Sequence, residues 1–443
     1  MWAFASYQIM NKKRVLIITY YWPPSGGGGV QRWLKMAKYL PQFGWYPIVF
    51  TPENPDFELR DESLIKDIPK EAEVIKLPIW EPFGLYKKLL GKKAVQQQGV
   101  VDKKDKSFLG RLALWIRGNW FIPDARVFWV RPAVNYLTKY LSANPVDVIV
   151  TTGPPHSMHL IGMEVKRRTG VKWVADFRDP WTDWDVLPQL NLGKRAWKYH
   201  KKLEHEVMHT ADLVLTVTNR LSMQLAKTGG IPEVKVVTNG FDSEDFESSV
   251  NVKPDKFRIA HVGLLNEGRD PKVLWRVLEK LCVEKPDLAE MLEVILVGTV
   301  EQSVTNEISR FEHLREKVVV PDYMSHTDVL TLYANSAVLL LLVNNTTNSS
   351  WILPGKLFEY LSTRRPILAF GIPESDANDL LQQCGYSGVF SFAASEEEIE
   401  NRIIELFLNF RKNEFEVDSE RMEAYERKKL TGELVDMMEQ LVS

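Results

Sequence analysis

The sequence predicts an α/β protein of two domains, each built on a parallel sheet, with the two sheets facing one another across a cleft. Three observations predict it. Short apolar, β-branched runs alternate with helical patterns along nearly the whole chain, which is the mark of βαβ units. With 443 residues, 45% of them hydrophobic, the chain is too long for one core and suits two domains of about 200 residues. A polar stretch running from Asn239-Gly240-Phe241-Asp242 through Ser248 and Ser249 to Lys253-Pro254-Asp255 splits the alternation into two units of similar plan. Residues 1–245 are expected to form the first domain, 246–420 the second, and 421–443 a helix returning to the first. Ligands of such sheets bind at the carboxyl ends of the strands, so loops of both domains would line the cleft.

In the first half, strands are expected at Arg14–Thr19, Pro47–Thr51, Val146–Thr152, Val171–Phe177, Leu213–Val217 and Val234–Val237, with helices between them. In the second, Phe257–Val262, Glu293–Val297, Val318–Val320, Ala337–Val343, Pro366–Phe370 and Gly388–Phe392 alternate with shorter helices. The segment from Trp80 to Trp129 departs from the alternation. Lys87, Lys88, Lys92, Lys93, Lys103, Lys104, Lys106, Arg111 and Arg117 interleave there with Trp115, Trp120, Phe121 and several leucines. Such a segment is either an insertion whose charges are solvated and whose tryptophans pack on the sheet, or a surface for anionic lipid headgroups.

A formal net charge of −2 argues against general nucleic-acid binding. Cys282 and Cys384 lie in apolar helical settings without metal-ligand spacing, and read as packing residues in a reducing compartment. No apolar run is long enough to cross a bilayer and the first residues do not form a signal peptide, so the expected location is the cytoplasm. Met1 to Ile9 read as a leader outside the fold, with Met10 as a second plausible start.

Directly after the first strand comes Tyr20-Tyr21-Trp22-Pro23-Pro24-Ser25-Gly26-Gly27-Gly28-Gly29-Val30-Gln31-Arg32. Four glycines leave bare N–H groups where a helix begins, and the helix points its partial positive charge at the same space, which suits a phosphate. The spacing fits neither the dinucleotide fingerprint nor a P-loop, and a flexible Gly-rich turn is the other reading.

Four further motifs follow in order: Thr152-Gly153-Pro154-Pro155-His156-Ser157, Ala175-Asp176-Phe177-Arg178-Asp179-Pro180-Trp181, Thr238-Asn239-Gly240-Phe241-Asp242, and Pro354-Gly355-Lys356-Leu357-Phe358-Glu359-Tyr360-Leu361. With the glycine loop, they make the chain resemble a retaining glycosyltransferase of the GT-B fold, in the large family four group of bacterial polysaccharide-building enzymes. The resemblance covers nearly the whole chain and implies two Rossmann-like domains facing across a cleft.

It also implies roles. The helix beginning near Lys356 would offer N–H groups to a diphosphate, Lys356 would add a point charge, and Glu359 would accept hydrogen bonds from two ribose hydroxyls. Gly27, Gly28, Gly263, Pro354, Gly355 and Leu357 would complete the donor site. The family commonly carries a second glutamate eight positions before the ribose glutamate, where this chain has Trp351, and the loop Asn344 to Ser350 offers amides and hydroxyls instead. The family also carries an arginine, then a lysine five positions on, to neutralise the leaving diphosphate. Here those positions are Leu264 and Arg269, so Arg269 and Lys356 would share that work.

His156 would lie near the reacting sugar, hydrogen-bonding the donor or orienting the acceptor, and is not assigned as a base; a packing or capping histidine is the alternative. His159, His205, His209, His261, His313 and His326 are expected to be structural. Asp176, Arg178 and Asp179 either form an ion-pair cluster or line the acceptor site, and the second is expected. No metal and no cofactor are implied, the nucleotide sugar being the substrate. The expected acceptor is a glycan, lipid-linked, and the expected place is the inner face of the plasma membrane, with an anionic membrane surface as a further partner. Two other readings share the fold: a non-hydrolysing nucleotide-sugar epimerase, and a non-catalytic sugar-nucleotide-binding regulator.

Overall fold

The computed structural model describes residues 13–57, 59–81, 108–185, 187–245, 253–321, 324–414, 416–417 and 420–443. The chain divides into two compact units, the first ending at Thr238 and resuming at Arg427–Ser443, the second spanning Asn239–Glu426.

The first unit runs β1 (Lys13–Ile18), α1 (Gly28–Tyr39), β2 (Trp45–Pro52), β3 (Glu73–Leu77), α2 (Phe108–Trp120), α3 (Val127–Ala143), β4 (Val148–Gly153), α4 (Ser157–Thr169), β5 (Lys172–Phe177), α5 (Lys194–Thr210), β6 (Leu213–Thr216), α6 (Asn219–Gly229) and β7 (Lys235–Val236). Its seven strands are parallel in the order β3-β2-β1-β4-β5-β6-β7. Val15, Ile17, Val148 and Val150 are fully enclosed, as continuous β-branched runs covered on both faces should be. Helix boundaries follow capping chemistry: the Thr218 hydroxyl accepts from Leu221 N–H at 3.3 Å to open α6, and Gly230 at φ 65° closes it.

The second unit runs β8 (Phe257–Val262), α7 (Lys272–Glu284), α8 (Pro286–Met291), β9 (Leu292–Val297), α9 (Gln302–Ile308), β10 (Val318–Val319), α10 (His326–Ala334), β11 (Val338–Leu342), α11 (Gly355–Ser362), β12 (Ile367–Gly371), α12 (Asp376–Gln383), β13 (Val389–Ser391) and α13 (Glu396–Lys412). Its six parallel strands take the order β10-β9-β8-β11-β12-β13. Each sheet is therefore doubly wound, and the strand order reverses between β1 and β4 in the first unit and between β8 and β11 in the second. Loops after those strands are where the fold leaves a crevice for ligands. Cys282 and Cys384 are buried and unbonded, and burial raises both thiols to about 11.

The chain then returns to the first unit as α14 (Arg427–Val442). Leu430, Leu434, Val435 and Met438 join Trp33, Leu34, Ala37 and Trp45 in one core, and Glu439 accepts from the Trp45 indole at 2.9 Å and pairs with Lys13.

Three differences from the sequence reading have physical reasons. Strand β3 was not expected, because an edge strand with only Ile75 buried carries too few apolar side chains to stand out. The division falls at Asn239 rather than 246, since Phe241 packs into the second unit's core and its N–H donates to Tyr425 O at 3.1 Å. The return begins at Arg427 rather than 421, because Met422 and Tyr425 belong to that same core. Of the basic and aromatic segment, Lys87, Lys88, Lys92, Lys93, Lys103, Lys104 and Lys106 lie outside the described residues.

Candidate functional site

In the first unit, the loop after β1 is pinned before it reaches α1. Gly26 N–H donates to Leu59 O at 3.0 Å, and Asp61 N–H to Pro24 O at 2.8 Å. Gly27 then takes φ 86°, a backbone that favours glycine, and Gly27 and Gly28 are exposed with open space around the Gly28 α-carbon. Helix α1 has no side-chain cap and no acidic residue in its first turn. No side chain therefore satisfies its first N–H groups, though Val30 N–H donates to Gly27 O at 3.4 Å.

Arg178, at the end of β5, ties this loop to the one after β4. Its Nη1 donates to Gly29 O at 2.7 Å, Nε to Gly153 O at 3.3 Å, and Nη2 to Pro154 O. All three acceptors are neutral carbonyls, so the charge is braced but not cancelled. Burial lowers the guanidinium pKa, partly opposed by Asp179 and Asp176. Asp179 is exposed beside it.

Asp176 is differently placed. Its carboxylate accepts from Arg32 Nε at 3.0 Å, Arg32 Nη2 at 2.9 Å, Trp33 Nε1 at 2.7 Å and Thr152 Oγ1 at 3.0 Å, and it is fully buried. Burial alone would raise its pKa, but Arg32 and these hydrogen bonds outweigh that and lower it. With four donors bound and no open face, Asp176 forms an ion-pair cluster with Arg32.

His156 precedes α4, whose first N–H is capped by Asp124: Ser157 N–H donates to Oδ2 and Ser157 Oγ to Oδ1, both at 2.9 Å. The His156 ring stacks on Trp181 with centroids 4.8 Å apart and planes within 6°. Only 5% of the residue is exposed, and neither ring nitrogen makes a well-aligned hydrogen bond among the described residues, the Pro180 backbone offering a weak one. Burial, then His159, His200 and Arg178, hold it neutral. Trp181 is itself oriented by donating to His200 Nδ1 at 3.0 Å.

In the second unit, the loops after β8, β9 and β11 and the start of α11 converge. Gly263 at φ 152° and Gly298 at φ 107° let the first two loops touch; a β-carbon on Gly298 would stand 2.5 Å from Gly263 O. Leu265 N–H donates to Thr299 O at 2.9 Å, and Glu301 N–H to Leu265 O at 2.9 Å, which fixes the turn Glu267–Arg269. Arg269 is held by donation from Nε to Asn344 Oδ1 and from Nη1 to Leu264 O at 3.5 Å.

Helix α11 opens at Gly355 after Pro354, with no side-chain cap and no acidic residue in its first turn. Lys356 lies against Gly263 and His261: a β-carbon on Gly263 would meet Lys356 Cε at 3.4 Å and His261 Nε2 at 3.5 Å. Burial lowers the pKa of both Lys356 and Arg269, opposed at Lys356 by the nearby Glu359 carboxylate, and neither makes a salt bridge among the described residues. Unpaired, partly buried cations are unfavourable, and an anion between them would relieve that. Glu359, one turn on, accepts from Tyr333 at 3.3 Å; Leu357 is buried core, and Tyr360 seats the helix by accepting from Val262 N–H at 3.4 Å.

Within the Asn344 to Ser350 loop, Ser349 is buried and closes a capping box with Thr346 Oγ1 at 2.8 Å. It is not free for a ligand. Trp351 is half-buried at the end of that turn and Leu264 contributes only its carbonyl to Arg269, so neither position carries a charge.

His261 was expected to be structural, and its Nδ1 is fixed on Leu340 O at 2.9 Å, while its Nε2, like Lys356 Cε, borders Gly263. Burial, with Lys356 and Arg269 among the causes, lowers it to about 4. Its position two residues before Gly263 on an apolar strand was the available signal. Asp124 and Gly298 had none, since Ser157 and Gly263, the partners that matter here, lie far from them in sequence.

Residues 27–242 match the family model of the glycosyl transferase 4-like domain. None of the curated proteins matches the chain by sequence. Among solved structures, a glycosyltransferase from Rickettsia africae aligns over 98% of this chain and 99% of its own, with 14% identity and a TM-score of 0.62. Sucrose-phosphate synthase from Thermosynechococcus elongatus aligns over 97% and 99%, with 12% identity and a TM-score of 0.61. A putative UDP-N-acetylglucosamine 2-epimerase from Listeria monocytogenes aligns over 97% and 96%, with 9% identity and a TM-score of 0.55. At such identities these likenesses show the fold.

Proposed function

We propose that this chain, a GT-B glycosyltransferase whose residues 27–242 form a glycosyl transferase 4-like domain, moves a sugar with retention from a uridine or guanosine diphosphate donor to a lipid-linked glycan. One observation carries the reading: Lys356, in the uncapped first turn of α11, and Arg269, held on the loop after β8, are partly buried cations that make no salt bridge among the described residues. That is chemistry for a diphosphate. Glu359 on the next turn suits two adjacent ribose hydroxyls, since both carboxylate oxygens accept.

In the proposed reaction the bond from the anomeric carbon to the diphosphate oxygen breaks, the acceptor hydroxyl oxygen bonds that carbon on the same face, and its proton passes to the departing phosphate. Arg269, Lys356 and the N–H groups of Gly355 and Lys356 stabilise the charge that develops on the diphosphate, which supports a metal-independent route. Gly27 and Gly28 approach the phosphates or the acceptor. The ring nitrogens of His156, neither of them in a well-aligned hydrogen bond, support hydrogen bonding to a sugar hydroxyl, and the unsaturated guanidinium of Arg178, with exposed Asp179, supports acceptor binding. Asp176 acts on the acceptor only through the loops it anchors. The setting we infer is cell-surface polysaccharide assembly in the cytoplasm, at the membrane's inner face.

The test is a panel of nucleotide sugars incubated with and without lipid extract, reading release of nucleoside diphosphate, with Lys356→Ala and Glu359→Ala alongside. Acceptor-dependent release lost in both variants is expected. Binding without release would favour a regulator, and acceptor-independent isomerisation an epimerase.

A further inference from the structure

Helix α2 is amphipathic the wrong way round for a helix that merely packs. Leu112, Trp115, Ile116 and Trp120 are 42%, 43%, 38% and 72% exposed, and their spacing puts them on one face. Gly118 is the buried position: a β-carbon there would stand 2.8 Å from Leu190 Cβ and from Leu192 Cδ2. The apolar stripe continues past the helix, where Phe121 meets Phe128 at 5.5 Å and Phe128 meets exposed Trp80 at 5.0 Å.

Hydrogen bonds join α2 to α5. Asn119 Nδ2 donates to Asn191 O at 3.2 Å, and Gly193 N–H, directly before α5, donates to Asn119 Oδ1 at 2.7 Å. Helix α5 then opens with Lys194, Arg195, Lys198, Lys201 and Lys202 exposed and no acidic residue in its first turn. Among the described residues none of Lys194, Arg195, Lys198 or Lys201 has an ion-pair partner; Lys201 lies over the Trp197 ring at 5.7 Å, and Lys202 pairs with Glu206 at 3.6 Å. Cations at this end oppose the helix dipole, so the row is locally unfavourable where it stands. Tyr199 is exposed between them.

We propose that α2 and the first turns of α5 together form a docking surface for an anionic lipid bilayer, with the tryptophan stripe entering the interface and the α5 cations meeting the headgroups. The inference rests on the lipid-linked acceptor read above and names the surface that brings the enzyme to it. Two chemistries side by side single out this occupant. An acidic protein would answer the cations alone, whereas a charged bilayer answers both the cations and the exposed indoles, which favour the headgroup level. In the described residues no helix is long and apolar enough to cross a membrane.

The test is co-sedimentation of the full chain with phosphatidylcholine vesicles, with and without phosphatidylglycerol, at low and high salt. Selective, salt-sensitive binding to the anionic vesicles is expected. Each cation contributes about fivefold to partitioning, so K194A/R195A/K198A should weaken it on the order of a hundredfold. W115A/W120A should reduce quenching of tryptophan fluorescence by brominated lipid, leaving the share that Trp80 contributes. Both variants should keep the parent melting temperature and the parent affinity for uridine diphosphate, or for whichever nucleotide the parent binds. Equal binding to neutral vesicles, no binding, or unchanged binding by the α5 variant would overturn the proposal, as would a parent dimer that W115A/W120A dissociates. If vesicle binding fails while nucleotide binding stands, the surface falls and the glycosyltransferase reading remains. Loss of nucleotide binding with docking intact is the reverse case.

Discussion

Arg32 holds Asp176 by two parallel hydrogen bonds, Nε to Oδ2 at 3.0 Å and Nη2 to Oδ1 at 2.9 Å, with both side chains closed to solvent. The pair locks α1 to the end of β5, and Thr152 and Trp33 complete the shell. Removing one member leaves a buried charge unpaired, which costs about 3–5 kcal/mol. Asp176→Ala should therefore lower unfolding stability by that amount in a urea titration, whereas an acceptor-lining residue would leave stability within about 0.5 kcal/mol.

Nucleotide binding should weaken at alkaline pH. Burial lowers the Lys356 pKa in the free protein, and a bound diphosphate favours the ammonium form. Affinity is therefore full below the free-state pKa and falls about tenfold per pH unit above it, the fall beginning below the ordinary lysine value of about 10.4. Calorimetric titration with uridine and guanosine diphosphates across pH 7 to 10 reads this. Lys356→Ala should bind about 10–100-fold more weakly at neutral pH and lose the alkaline slope.

Acid should destabilise the first unit through its buried histidines, opposed in part by Glu204 and Asp179, whose carboxyl pKa values burial raises. His159 is held at about 3 and His200 at about 4, burial being the main cause in each, and His156 is pushed well below the usual histidine range. Neutral in the fold and protonated when unfolded, each withdraws stability as pH falls from about 6.5 toward its folded value, by up to about 1.4 kcal/mol per pH unit. Urea midpoints at pH 7.5 and 5.5 should differ accordingly. His200→Gln, which keeps an acceptor for the Trp181 indole, should reduce the difference.

Gly298→Ala should damage both stability and nucleotide affinity. The added carbon meets Gly263 O at 2.5 Å, and φ 107° is itself strained for alanine, together about 1–3 kcal/mol or more. Because Gly263 borders Lys356 and His261, its displacement reaches the cation pair. Gly355→Ala, with no atom within 4 Å of the added carbon, should leave the melting temperature near that of the parent.

The strands that were legible in the sequence, such as Val338–Leu342 and Phe257–Val262, are those buried on both faces, where β-branched and apolar residues run without interruption. Strand β3, half in solvent, left no such run. The glycine loop and the start of α11 were legible because bare backbone at a helix start requires particular residues at short spacing. What distinguished Asp176 from Asp179 was not. Both lie beside Arg178, and partners distant in sequence, Arg32, Trp33 and Thr152, enclose the one while the other is exposed. The α5 cations were passed over because, read alone, they resemble any solvated helix face; Asn119 and Gly193 give them their neighbours.

Helix α14 reaches the first core only after the chain has passed through the whole second unit. During synthesis, then, the half that is made first cannot be finished first. Until Leu430, Leu434 and Met438 emerge, part of the surface around Trp33 and Trp45 stays uncovered, while Asn239–Glu426, continuous in sequence, already has its core. A nascent chain halted before Arg427 would carry a complete second unit and an open, aggregation-prone first one, so the emergence of α14 sets when the first core can close.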